Sequence, residues 1–418
     1  MGQFIGLLGV VVLLGIAYIA SSNRKNVNPR TIFSALAFQF AIALFVFKTP
    51  WGRTVLENVT NFIEHVLNYS MKGIGFIFGD WAQSGNVMLS FATMVLPVII
   101  FVGALMTVLF HLGIMQWVMR GLGFVLRKTI GVNGVEALAA SMNIFVGQDS
   151  APFAVRPYLA TMPKSTLFLV MTTGMATIAG SILAGLMAMG VDGQSLIVAS
   201  FMGAPGGILM AKMIMPSDPA DEDVIPENVE IKTTKHSNVI EAAAVGASEG
   251  VQLAITIGAM LIAFISLIAL LNGMLGGTGN IINYFAGKVG IHWAVLDGLT
   301  FQKILGAVFS PIMWLIGIPW SEAGISGSLF GEKLILNEFV AYGSFMGMGE
   351  GALSPRAAKI TTIALCGFAN FSSIAIALGG IGTLAPERRG ELASFGLKAV
   401  LAASLANLLS AAIVGLMI

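Results

Sequence analysis

Long apolar runs with almost no charge in them recur from one end of this chain to the other, and they restrict the fold more than any motif. They are Phe4–Ala20, Thr31–Phe47, Met88–Leu112, Leu167–Met189, Ser195–Met213, Leu253–Leu271, Thr361–Leu384 and Leu392–Ile418. Crossing the hydrocarbon core of a bilayer as a helix takes about 20 such residues. Only 10% of the 418 residues are charged, against roughly 25% in a soluble domain. A mean hydropathy of +0.87 exposes more apolar surface than water tolerates, so lipid is the solvent. The first run has no basic stretch ahead of it and no small-residue cleavage site before Arg24, so it is read as a helix and not a signal peptide.

The expected architecture is therefore an all-α polytopic membrane protein. Arg24, Lys25, Arg30, Arg120, Arg127, Lys128, Arg156, Lys164, Arg388 and Arg389 fall on one side of eight alternating spans, with Arg356 and Lys359 on the other. The excess of basic residues makes the first side cytoplasmic. Two apolar stretches resist assignment as single helices. Val135–Leu159 is interrupted by Asn143, Gly147, Gln148, Asp149, Ser150 and Pro152, and Phe301–Phe345 by Pro311, Pro319, Glu322, Gly324, Asn337 and Glu338. Proline and glycine leave backbone groups without helical partners. At membrane depth that is tolerated only under cover of protein or a water-filled cavity. Both stretches read as re-entrant hairpins with polar turns.

Each hairpin precedes a span with a polar interruption and then a final span, and one further span between the two sets turns the second copy upside down. Inverted repeats with broken helices are a transporter plan with the site at the repeat interface. The chain divides accordingly into residues 1–85 (two scaffold helices and an interfacial segment), 86–215 (third span, first hairpin, spans four and five), 216–240 (an acidic cytoplasmic loop) and 241–418 (span six, second hairpin, spans seven and eight).

Ionisable groups inside a membrane are expensive and point to function. Asp149 and Glu338 fall at the expected hairpin turns, among Asn143, Gln148, Ser150, Asn337 and Asn370. Amides, hydroxyls and carboxylates without a fixed cation suit a neutral, polyhydroxylated solute better than an anion. Phe368 and Phe371 could pack on a ring. The four histidines have no metal-ligand spacing, and no phosphate-cradling loop followed by Lys-Ser or Lys-Thr occurs. A net charge of +1 suggests no polyanionic partner, and the single cysteine, Cys366, leaves no internal disulfide.

At these polar segments the sequence resembles the concentrative nucleoside transporters in their short, bacterial, eight-span form. The matching motifs are Asn143-Ile144-Phe145-Val146-Gly147-Gln148 with Ala151-Pro152, Asn337-Glu338-Phe339-Val340-Ala341-Tyr342, and Cys366-Gly367-Phe368-Ala369-Asn370 with Ser372-Ser373. Ala204-Pro205-Gly206-Gly207 and Ala385-Pro386-Glu387-Arg388-Arg389-Gly390 also fit. The resemblance implies a homotrimer in the bacterial inner membrane that imports nucleosides by an elevator motion, driven by sodium or protons, with no cofactor. It places the nucleobase against Gln148, Asp149, Ser150 and Ile182, and the ribose against Glu338, Asn370 and Ser373 beside Phe368. It places a sodium ion among the Asn143 side chain, the Val146 and Ile178 carbonyls and the Thr177 hydroxyl.

One position departs from the family. Where members usually read Gly-Gln-Thr-Glu or Gly-Gln-Ser-Glu, this chain reads Gly147-Gln148-Asp149-Ser150. The carboxylate sits one residue earlier, about 100° around a helix end. An ionised Asp149 accepts and cannot donate, so it favours a base edge with adjacent N–H groups, as guanine presents on N1 and its exocyclic amine, and the expected shift is toward purine nucleosides, guanosine or inosine. The alternatives are a carrier of a modified nucleoside, nucleobase or related neutral solute, and a membrane-embedded enzyme, for which no nucleophile or metal cluster is seen. The chain is accordingly expected not to be an enzyme.

Overall fold

The structure, a computed structural model, describes residues 2–79, 91–218, 236–288, 293, 297–349 and 351–418. Most of the acidic loop expected at 216–240, and the first residues of the Met88–Leu112 run, lie outside the described residues. Among the described residues there is no strand. The helices are α1 (Gly2–Ile19), α2 (Pro29–Lys48), α3 (Pro50–Asn68), α4 (Ser70–Phe78), α5 (Leu96–His111, continuing from a π-helical turn at Phe91–Val95), α6 (Ile114–Ile130), α7 (Gly134–Asn143), α8 (Ala151–Ala154), α9 (Lys164–Ala176), α10 (Gly180–Ala188), α11 (Gly193–Ile214), α12 (Val239–Gly287), α13 (Phe301–Leu315), α14 (Trp320–Ile335), α15 (Glu338–Gly347), α16 (Pro355–Leu365), α17 (Ser372–Leu384) and α18 (Arg389–Met417).

Among the described residues six helical stretches are long and apolar enough to cross a bilayer, and a bent pair makes up to seven. The two spans read as carrying a polar interruption are broken helices. Leu167–Met189 becomes α9 and α10, separated at Thr177–Ala179, and Thr361–Leu384 becomes α16 and α17, separated at Cys366–Phe371. The Leu253–Leu271 run is only the middle of α12, which has 49 residues. At about 1.5 Å per residue that helix exceeds any bilayer core. Phe301–Phe345 resolves into three helices: α13 and α14 meet at a bend of 117°, and the Asn337-Glu338 turn falls between α14 and α15.

Burial separates an inner bundle from an outer frame. The windows in α9–α10, α11 and α18 are 89%, 89% and 83% buried, whereas those in α2 and α5 are 28% and that in α12 is 11%. The inner helices are apolar all round because protein surrounds them, while the outer ones turn residues such as Ile255, Ile262 and Leu270 outward. α1 packs on α18, and α2 on α11. The Gln39 amide of α2 is fully buried and donates to the Met202 carbonyl at 3.0 Å and the Ser410 hydroxyl at 3.2 Å. The helices assigned as scaffold from sequence are thus joined to the inner bundle by polar as well as apolar contacts. Arg388, counted above among the orienting charges, is also buried; it donates to the carbonyls of Leu159 and Met162 and to Glu391.

The pair α5–α12 crosses at backbone distance. A Cβ on Gly246 would stand 2.5 Å from the Gly103 carbonyl, and one on Gly250 2.7 Å from Ile100 Cα. Without a hydrophobic drive between helices in lipid, such close contact is what holds them. Gly246→Leu is expected to separate the pair at a cost of about 1–3 kcal/mol, read as a fall of several degrees in the melting temperature of the purified protein. An unchanged melting temperature would count against glycine contact as the cause of this crossing.

Candidate functional site

The first hairpin begins with a reciprocal cap. Asn133 Oδ1 accepts from the Glu136 amide at 2.9 Å, and Glu136 Oε2 accepts from the Asn133 amide at 3.3 Å. Glu136, fully buried, also accepts from the Thr166 hydroxyl at 3.0 Å and from Lys212 Nζ at 2.7 Å. The starts of α7 and α9 and the end of α11 are held together in this way. At its far end α7 stops at Asn143, and the chain runs unwound to Ser150. Gly147 has φ +78°, and a Cβ there would lie 2.9 Å from Ala179 Cβ and 3.3 Å from the Phe368 ring. Only glycine allows both this left-handed turn and the close approach of the two breaks.

The tip meets the break between α9 and α10. Thr177 is extended; its Oγ1 lies 2.8 Å from the Thr173 carbonyl and 3.0 Å from the Asn143 carbonyl. Asn143 Nδ2 donates to Thr173 Oγ1 at 3.1 Å, and Gly180 N donates to the Phe145 carbonyl at 2.8 Å. Asn143 Oδ1 and Gln148 Oε1 are buried and have no hydrogen-bond partner. Burying an acceptor unpaired costs about 1–3 kcal/mol; other buried atoms, such as Gln39 Oε1, share that condition, but these two stand where the hairpin tip meets the break and are free to accept from or ligate a bound species there. Val146 and Ile178, whose carbonyls were expected as ligands, stand in the two unwound stretches themselves.

The second half supplies the opposite wall. Asn337 caps α15, accepting from Val340 N at 3.0 Å, and so presents Glu338 as the first residue of the helix. Glu338 is buried, and Asn370 Nδ2 donates to its Oε2 at 3.3 Å. Asn370 Oδ1 accepts from the Ser372 hydroxyl at 2.7 Å and the Ser373 amide at 2.9 Å, which fixes the orientation of its amide. Gln148 Nε2 then crosses between the halves and donates to Ser373 Oγ at 2.9 Å. The breaks also touch through backbone: Phe368 N donates to the Thr177 carbonyl at 3.3 Å, and Phe371 N to the Leu334 carbonyl at 3.1 Å.

Asn143, Thr177, Gln148, Ser373, Asn370 and Glu338 thus form one buried polar cluster, reached from two hairpins and two broken helices. Ile182 is buried in the first turn of α10, and Phe368 is half-buried against the Gly147 turn. Asp149, Ser150 and Phe371 are exposed, so the fold leaves these side chains at the open edge of the buried cluster. Sequence reasoning missed Lys333 and Asn407, which are buried together behind the second hairpin. The signal was present: a lysine inside an apolar stretch, and the sole asparagine of the last apolar run. Among the described residues no group of three or more His, Cys, Asp or Glu could hold a metal ion.

Comparison with known proteins accounts for almost the whole chain. The family model described as Na+ dependent nucleoside transporter N-terminus matches residues 8–81, its C-terminal counterpart residues 195–415, and a gate model described as nucleoside recognition residues 92–192. Nucleoside permease NupC of Helicobacter pylori is 40% identical over 420 residues, 98% of this chain and 97% of its own. Sodium/nucleoside cotransporter 1 of Mus musculus is 35% identical over 99% of this chain and 64% of its own. The solved structure of CNTnw in an inward-facing substrate-bound state superposes with a TM-score of 0.90 at 44% identity, covering 100% of this chain and 98% of that one. A single-substitution variant of CNTnw solved in an intermediate state superposes at 0.89, with 43% identity over 99% of this chain and 98% of that one. At this identity and coverage the chain belongs to the Na+-dependent nucleoside transporter family, whose members are multi-pass membrane permeases and not enzymes.

Proposed function

We propose that this chain is a sodium-driven nucleoside importer that works as a homotrimer, each protomer carrying its own site through the bilayer by an elevator motion. The observation that carries the reading is the buried cluster spanning both halves, with Asn143 Oδ1 and Gln148 Oε1 unpartnered inside it. Glu338, Asn370 and Ser373 take the ribose: a carboxylate accepts from two hydroxyls, and the amide both donates and accepts. Gln148, with Asp149, Ser150 and Ile182 around it, takes the base, and Phe368 packs against the nucleoside. The Gln148–Ser373 and Asn370–Glu338 bonds tie up the donors that a nucleoside would engage, so binding exchanges one set of hydrogen bonds for another.

Sodium is cargo here. Asn143 Oδ1, a lone pair of the Thr177 hydroxyl, and the Val146 and Ile178 carbonyls make an all-oxygen set, which suits a hard cation; broken helices supply such carbonyls. The burial pattern favours α2, α5 and α12, with α1, as the stationary frame and the inner bundle as the moving body. CNTnw has been solved in an inward-facing state, and substituted variants of it in intermediate and outward-facing states, which supports the alternation that this reading requires.

The test is uptake of a radiolabelled nucleoside panel into proteoliposomes under imposed sodium, proton or no gradients. An inward sodium gradient is expected to drive accumulation. Guanosine is expected to compete better than uridine by about tenfold, the equivalent of roughly 1.4 kcal/mol, because its base presents two adjacent N–H groups to the Asp149 carboxylate. The double variant Asp149→Thr, Ser150→Glu should narrow that ratio. Uptake without any gradient dependence would refute coupling, and identical ranking by both proteins would show that the tip does not set base choice.

A further inference from the structure

The second hairpin holds a cation of its own. Lys333, in α14, is fully buried. Its Nζ donates to Asn407 Oδ1 at 2.7 Å and reaches the Ala364 carbonyl at 3.4 Å, with the Phe330 ring centroid 5.5 Å away. No described carboxylate forms a direct ion pair with it; its contacts are two neutral oxygens and a ring face, and the Glu338 carboxylate acts on it only through space. An ammonium is costly to bury without a direct counter-ion, so its place needs a reason.

The reason lies in the ends of the broken helices. Ala364 is the second-last residue of α16, and a helix that stops leaves its last carbonyls unbonded and its end negative. Ala176 is the last residue of α9, the broken helix of the first half, and its carbonyl accepts from Asn407 Nδ2 at 2.8 Å. Asn407, from α18, therefore touches both breaks: it donates to the end of one broken helix and accepts from the ammonium at the end of the other. Its backbone surroundings are equally close, since a Cβ on Gly367 would lie 2.6 Å from Asn407 Oδ1.

The repeats pair these elements. Glu136, in the first turn of α7, bonds Thr166 at the start of α9. Glu322, in the first turn of α14, bonds the Ser354 amide at 3.2 Å and hydroxyl at 2.9 Å at the start of α16. So α7 corresponds to α14, and α9 to α16. In the first half the inner arm of the hairpin and the end of the broken helix converge on Asn143 and Thr177, where the reading above puts the coupling ion. In the second half the same two ends converge on Lys333.

We propose that the Lys333 ammonium is a resident, covalently tethered cation in the second repeat, occupying the position that sodium takes in the first, and that it thereby limits coupling to one sodium per nucleoside. This rests on the assignment of the Asn143–Thr177 site. Asn407 is the positioning residue that ties the tethered cation to the helix end beside the mobile one.

The sodium dependence of nucleoside binding to the purified full-length protein tests this, as the slope of log affinity against log sodium concentration. Wild type is expected to give a slope of one. Lys333→Asn removes the charge and leaves Asn407 Oδ1, the Ala364 carbonyl and a new amide oxygen around the space. A slope approaching two, or a loss of binding of at least tenfold that Lys333→Arg restores, supports the proposal. A slope of one at wild-type affinity in Lys333→Asn overturns it. So does a wild-type slope of two with sodium dependence otherwise intact, a measurement that decides the matter even if the variant does not fold. Sodium-independent binding by wild type overturns this proposal together with the site assignment beneath it.

Discussion

Glu338→Gln is expected to lower nucleoside uptake by about two orders of magnitude while the protein still folds and assembles. A hydrogen bond to a charged group contributes about 1.5–3 kcal/mol, and 1.4 kcal/mol is tenfold in affinity, so weakening both hydroxyl contacts of one carboxylate suffices. The amide is nearly isosteric, so the cap from Asn337 and the packing of α15 survive. Asn370→Ala should be as damaging, because it removes the donor to Glu338 and the acceptor that holds Ser372 and the Ser373 amide. Both variants are checked by initial uptake rates in proteoliposomes, normalised to protein incorporated and to elution as an intact oligomer. Near-normal rates in both would remove the ribose assignment from this pair.

Asn143→Ala and Thr177→Val are expected to uncouple binding from sodium. Under the proposed coupling, sodium and nucleoside favour the same state, so each must raise the affinity for the other by the same factor. Removing an oxygen ligand should raise the sodium concentration for half-maximal binding at least tenfold, with a smaller effect on affinity measured at saturating sodium. Thr177→Val keeps the shape and deletes only the hydroxyl, so a change there reads the ligand and not the packing. The measurement is nucleoside titration at a series of sodium concentrations, with choline holding ionic strength constant. Binding by wild type that ignores sodium but follows pH would transfer the coupling to a proton, and Asp149 or Glu338 would then become its carrier.

Several parts of this architecture were legible in the chain before it was folded. The apolar runs located α2, α5, α11, α12 and α18 because a helix in lipid has to be apolar over a bilayer's thickness and can carry few charges. Asn143 and Gln148 stood out in the first hairpin, as Asn337, Glu338 and Asn370 did in the second half, because amides and a carboxylate are improbable in such runs unless something pairs with them. The breaks were less visible. Thr177 and Ile178 sit in a run whose hydroxyl residues marked an interruption without fixing its place and which has no proline, and what unwinds α9 there is the approach of another segment, whose Phe145 carbonyl takes the Gly180 amide. The length of α12 was hidden for a related reason: its flanks carry Glu241, Glu249 and Gln252, which an apolar-run criterion excludes and a helix does not.

Composition and pattern alone determined that the chain lives in lipid, that it is helical, and that its polar residues are concentrated at two hairpin turns, since each follows from the local cost of placing a residue type in hydrocarbon. The pairings were decided by tertiary structure. That Gln148 reaches Ser373, that Gln39 binds across to α11 and α18, that Asp149 is exposed while Gln148 one residue away is buried, and that Lys333 and Asn407 join the ends of two broken helices all depend on which elements meet. Residues far apart in sequence carry no local signal of their partner; an acceptor in a dry interior is satisfied by whatever donor the packing of the whole chain brings to it.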